Sequence, residues 1–237
     1  MSHPVVLLLA RADHSPVDTP FVTGHLSASD PFAQGRKTAF IDDDGIAAGT
    51  VEVSGSLALK DYPFTEMLVV HRGFVTLRSG EQSIGLEPGQ CAVIGRGTDL
   101  QIDAQGASLW AFCAATQASG PNKPGITLID RRAMLTPSAA PEASILIGAT
   151  PQCRSNNLFE DTASPLRIGV WDSTPYQRGA RPHKIHELMH LLEGEVTLTL
   201  EDSSSVIVKP GDTVFVPQGT PCAWTSTVYV RKFYAVN

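Results

Sequence analysis

Apolar residues along this chain fall in short runs broken by glycine and proline, and no stretch keeps the period of a long amphipathic helix. The clearest runs are residues 50–53, 67–70, 74–77, 91–94, 168–171, 188–192, 195–200, 205–208, 213–216 and 228–234. β-Branched and aromatic side chains crowd them, and turn residues bound them at the intervals of a sandwich or barrel. The expectation is an all-β chain. Pro88-Gly89 and Pro210-Gly211 suit turns with proline second and glycine third, where φ is positive. Gly73 and Gly194 read as hairpin turns between paired strands.

The pattern occurs twice. Glu66-Met-Leu-Val-Val-His-Arg-Gly73 matches Glu187-Leu-Met-His-Leu-Leu-Glu-Gly194, and both continue into Val-Thr-Leu. Ser83-Ile-Gly-Leu-Glu-Pro-Gly89 likewise matches Ser205-Val-Ile-Val-Lys-Pro-Gly211. Glu66 and Glu187 lie 121 residues apart, and Gly89 and Gly211 lie 122 apart. An offset near half the chain means a duplicated domain, since solenoid repeats are several-fold shorter. Leu8-Leu-Ala-Arg11 also resembles Leu128-Ile-Asp-Arg131. A break within residues 117–123, which include Ser119-Gly-Pro121, divides the chain into domains 1–120 and 121–237.

Composition narrows the partners. Hydrophobic residues make up 42% of the 237, enough for true cores, and the net charge is −6 with no basic block. Nucleic acid and anionic membranes are therefore excluded as expected partners. The apolar run 5–10 is too short to span a bilayer and lacks the basic start of a secretory signal. Cys91, Cys113, Cys153 and Cys222 show no paired spacing and read as reduced thiols of a cytoplasmic protein. Asp42-Asp-Asp-Gly45 reads as a solvated turn.

His186-Glu-Leu-Met-His190 matches the zinc-protease motif H-E-x-x-H, whose chemistry needs a helix to place both imidazoles on one face. Pro182 and Gly194 leave little room for one, and the equivalent first-half segment carries Met-Leu-Val-Val, which prefers a strand. On a strand His186 and His190 face away from Glu187, so packing or an interface is their expected role. His183 and Glu187 are four apart and would share a face.

Gly169-Val-Trp171, Leu191-Leu-Glu-Gly-Glu-Val196, Pro210-Gly-Asp-Thr-Val-Phe-Val-Pro217 and Val230-Arg-Lys-Phe-Tyr234 together resemble the cupin superfamily. Within it they are similar to the subfamily related to (S)-ureidoglycine aminohydrolase and an ethanolamine-utilisation cupin. The resemblance implies a bicupin, two tandem antiparallel jelly-roll barrels, with any site inside a barrel. Its ligand positions fall on Arg181, His183, Glu187 and Cys222. His183, Glu187 and Cys222 then form a candidate set for a divalent transition metal, Mn, Zn, Fe or Ni. Arg181 has no lone pair to offer a cation, and at that position it would anchor a substrate carboxylate. The corresponding first-half residues, Lys60, Tyr62, Glu66 and Leu100, build no metal site, which makes the first barrel structural.

Each residue also has a plainer role. Cys222 could be a small buried hydrophobe, Trp171 and Trp224 core, and Glu187, like its twin Glu66, part of a structural hydrogen bond. The leading functional expectation is a small-molecule cupin acting through its second barrel, as a metal-dependent hydrolase or aminohydrolase of a ureido-type metabolite. A non-catalytic binding or sensing barrel is the alternative, and a purely structural homodimer a third. No catalytic residue is assigned.

Overall fold

The computed structural model describes residues 5–164 and 166–237. Antiparallel strands dominate it, and the one helical element among the described residues is the 3-10 turn Ala143–Ile145. The chain forms two compact units. One holds residues 5–17, Arg131–Leu158 and Ile168–Asn237; the other holds Asp18–Asp130 with 159–164 and 166–167.

The unit built on Asp18–Asp130, first along the sequence, is one eight-stranded sheet. Its path runs Val22–Thr23, Arg36–Ile41, Ile46–Leu59, Leu100–Ala115, Thr65–Ser79, Cys91–Gly95, Gly125–Ile129, with Gln82–Leu86 paired to Thr65–Ser79 off that path. Three strands of 14, 15 and 16 residues form its frame. Register shifts at Val53/Gly55, Val70/Arg72 and Arg72/Phe74 bend them, which lets one strand wrap round the core. Gly73, expected as a hairpin turn, lies inside Thr65–Ser79 at such a bend with φ 81°. A Cβ there would meet Ser108 Oγ at 2.3 Å, so only glycine fits. Leu68, Val70, Leu77, Trp110 and Phe112 fill the interior.

The second unit has two sheets. A seven-stranded one runs Leu7–Ala10, Thr213–Val216, Glu187–Glu193, Val230–Val236, Leu166–Ser173, Cys153–Asp161, Thr136–Ser138. A five-stranded one runs Leu146–Ile147, Tyr176–Pro182, Pro221–Ser226, Val196–Leu200, Ser205–Val208. Glu187–Glu193 and Val196–Leu200 belong to different sheets, so Gly194 turns a corner between them and makes no hairpin. Met189, Leu191, Leu198, Val214, Val216 and Trp224 pack between the sheets.

The units do not divide at residue 120. Leu7–Ala10 pairs antiparallel with Thr213–Val216, and Gly125–Ile129 pairs with Cys91–Gly95. Each half of the sequence thus begins with a strand that completes the sheet of the other half's barrel. A strand edge left open is a pairing hazard, and this reciprocal exchange covers both edges.

Inside the first unit sits a sealed ionic cluster. Arg36 is wholly buried; its Nη2 lies 3.0 Å from Glu66 Oε2, and its Nε lies 2.7 Å from Asp30 Oδ2 in an ionic contact off the hydrogen-bond line. Tyr62 donates to Glu66 Oε2 at 3.0 Å, and the guanidinium lies 4.3 Å from the Phe112 ring centre. Of the first-half positions matched to a metal site, Glu66 is thus taken up by Arg36, Tyr62 and Leu100 are core, and Lys60 is exposed. Removing one partner of a buried pair leaves an uncompensated charge. Arg36→Met should therefore destabilise the protein by about 3–5 kcal/mol, and adding Glu66→Met should recover part of that loss. Urea unfolding midpoints of the three proteins test both expectations.

Candidate functional site

The candidate residues converge in the second unit, but not through strand alternation. His183 follows the strand Tyr176–Pro182 and precedes Glu187–Glu193, in a turn. Its N–H donates to Thr220 O at 2.9 Å, its carbonyl accepts from Gly219 N at 2.8 Å, and Nδ1 lies 2.8 Å from Ile185 O. That turn brings His183 Nε2 to 3.4 Å from Glu187 Oε2. Both side chains keep some contact with solvent, at 11% and 15% exposure. His186 and His190 face the other way, stacked on Phe215 and Phe233, and no helix carries the H-E-x-x-H residues.

Glu187's second oxygen is already engaged. Lys232 Nζ lies 2.8 Å from Glu187 Oε1 and 2.9 Å from Met189 Sδ. The ammonium also stands 4.7 Å from the centre of Trp171 and 5.2 Å from that of Trp224, as in a cation–π cage. Trp171 meets Trp224 edge-on, and Tyr176 stacks on Trp224 at 5.5 Å. Burial opposes ionisation of Glu187, but Lys232 and His183 overcome it and hold the carboxyl far below its ordinary range.

Arginines line the facing sheet. Arg178 pairs in register with Trp224 and Arg181 with Cys222, and the register shift between the two arginines lets both side chains share the inward face. Arg178 is 5% exposed and donates from Nη1 to Cys222 O at 2.7 Å. Among the described residues it has no carboxylate partner. Arg181 Nε is buried without a hydrogen bond. Burial pushes the Cys222 thiol up, with Arg178 pulling the other way and Glu187 adding to the rise, so the sulfur stays protonated at neutral pH.

This donor set does not fit a divalent metal. His183 and Glu187 supply two donors, Cys222 is a neutral core thiol, and Lys232, Arg178 and Arg181 surround them with positive charge. Among the described residues no three His, Cys, Asp or Glu side chains come together to hold an ion. Against the expected ligand set His183, Glu187, Cys222 stands Lys232, whose ammonium holds the carboxylate a cation would need. Lys232 and Arg178 were both missed. Alternation signals each one, since Lys232 shares a strand face with Val230 and Tyr234, and Arg178 with Tyr176.

A family model described as an EutQ-like cupin domain matches residues 161–234. A crystal structure from Pseudomonas syringae pv. tomato str. DC3000, a protein of unknown function assigned to the DUF861 family, is 68% identical, with a TM-score of 0.97 over 99% of this chain and 100% of that one. The chain belongs to that cupin family. Two more distant structures share the fold. They are Ylba from E. coli (12% identity, TM-score 0.55, 99% of this chain and 91% of that one) and a cupin 2 conserved barrel domain protein from Leptotrichia buccalis (12%, 0.56, 82% and 85%). No curated protein sequence matches the chain. No helix among the described residues of this cupin is long and apolar enough to cross a membrane.

The ion pair makes a pH-dependent prediction. Glu187's folded pKa is depressed, so its stabilisation is complete above the ordinary value of 4.5 and is lost only as pH falls through the lower folded value. Lys232→Met should cost about 2–4 kcal/mol at pH 7, with His183 still beside the carboxylate. The gap between wild type and variant should be constant near neutrality and close in acid, where the variant's Glu187 protonates first. Denaturation midpoints measured across pH 3–8, roughly the carboxylate-to-histidine titration range, check this.

Proposed function

We propose that the second barrel binds a small carboxylate-bearing metabolite without a metal ion, as a binding or sensing cupin. Arg178 carries the proposal. A guanidinium buried to 5% exposure with no anionic partner is costly unless a ligand supplies one. Arg181, the sequence-expected carboxylate anchor, stands in register with Cys222 three positions further along the same strand. Tyr176 and Trp171, both partly open to solvent, offer flat apolar surface for the rest of the molecule. The Glu187–Lys232 pair keeps the floor of the site neutral, so the two guanidiniums set its sign.

The metal-dependent aminohydrolase reading needs a Lewis acid or an activated water. The donors around Glu187 support it poorly, and the binding reading comes first. Four buried, unpaired thiols suit a reducing compartment and are the support for a cytoplasmic location.

Isothermal titration of small mono- and dicarboxylates, with and without EDTA, tests the proposal. Binding should be indifferent to EDTA. Arg178→Met and Arg181→Met should each weaken it about 10- to 100-fold, as expected for loss of one charge-assisted contact. Arg178→Lys should rescue little, because an ammonium lacks the bidentate fork. Binding that vanishes with EDTA would restore the metal reading, and titration curves unchanged in both Met variants would overturn the carboxylate site.

A further inference from the structure

The outer face of the seven-stranded sheet holds a second basic site, independent of the barrel interior. Arg231 and Arg154 alternate with Lys232 and Cys153 along their strands and so point away from the core. With Arg131, Arg132, Met134 and Glu193 they line an open cavity of about 760 Å³, within the size range of small-molecule pockets. Four guanidiniums thus meet at one place on a chain whose net charge is −6.

Their arrangement is fixed from beneath. Asp172, 1% exposed, accepts from Arg154 Nε at 3.0 Å and Nη2 at 2.6 Å, from Arg231 Nη1 at 3.3 Å, and from Tyr229 OH at 2.6 Å. Arg231 also donates to the carbonyls of Arg131 at 3.0 Å and Ala133 at 2.9 Å. Those bonds tie down the segment that carries Arg131 and Met134. Asp172 is thereby saturated, while Arg154 keeps Nη1 unengaged on a half-exposed side chain, and Arg131 is exposed with no ion pair among the described residues. Met134, 89% exposed, gives the cavity an apolar lip.

We propose that this cavity binds a small phosphorylated molecule, its phosphate between Arg131 and Arg154 and its apolar part against Met134. Guanidinium forks match phosphate oxygens two at a time. A singly charged carboxylate gains little at so exposed a place, where Coulomb attraction is screened, whereas a dianion gains more. Arg154, already locked by Asp172, loses little side-chain freedom on binding.

Titration calorimetry with inorganic pyrophosphate, and with sulfate at matched ionic strength, tests the site. The expected result is saturable binding of one pyrophosphate per chain, preferred over sulfate. It should fall at least about tenfold in the Arg131→Ala/Arg132→Ala double variant and stay unchanged in Arg178→Met, which alters only the barrel interior. Arg131 and Arg132 are exposed, so circular dichroism of the double variant should match wild type. Sulfate binding as tight as that of pyrophosphate, or equal affinity in wild type and double variant, would overturn the proposal.

Discussion

A glutamate at the same place in each repeat, held by a side-chain cation from its own barrel, is the contact on which the rest of this molecule turns. Glu66 holds Arg36, and Glu187 holds Lys232. Both cations stand against aromatic rings, Phe112 in one barrel and Trp171 in the other. An ionised carboxylate inside a packed barrel is unfavourable without a compensating charge, and each barrel supplies one from another of its strands, Lys232 from the one paired with that of Glu187. The compensation is internal, so neither barrel depends on a bound ion to keep its glutamate.

That arrangement decides the sign of each interior. Arg36 faces two carboxylates, Asp30 and Glu66, and its positive charge is exceeded; burial raises the pKa of Glu66 while Arg36 works to lower it. Lys232 faces one carboxylate, and Arg178 and Arg181 stand beyond it with no salt bridge among the described residues. The second interior is therefore the electropositive one. Polarity of this kind suits the anionic guest proposed for it and disfavours a metal cation, on charge count before any detail of shape.

The fold was legible because two independent signals agreed: short β-rich runs cut by turn residues, and a repeat close to half the chain length. The exchange of first strands was not, because Leu7–Ala10 carries no local mark of which edge it will cover; its partner, Thr213–Val216, is named only by tertiary packing. The convergence of His183 and Glu187 was foreseen for the wrong reason. Alternation assumes an unbroken strand, whereas main-chain bonds to Thr220 and Gly219 hold His183 in a turn. Lys232 was legible by the same alternation, a charged residue on an apolar strand face between Val230 and Tyr234. Matching positions to metal ligands drew attention to Arg181 and Cys222 and away from the strand that supplies the occupying cation.

Exposure then separates two barrels that share a plan. Arg36, Asp30 and Glu66 are closed to water at 0% exposure, and a pair so enclosed can serve only the barrel's own stability and register. Glu187 and His183 keep 15% and 11%, enough for a small solute to approach what they hold. Duplication supplied both copies with the same carboxylate. Aromatic packing by Phe32, Phe64 and Phe112 sealed the first, and the turn at His183 left the second open. Of the two glutamate pairs, the one at Glu187 alone still touches solvent, so of the two it alone leaves a charge the fold has already placed where a ligand could change its energy.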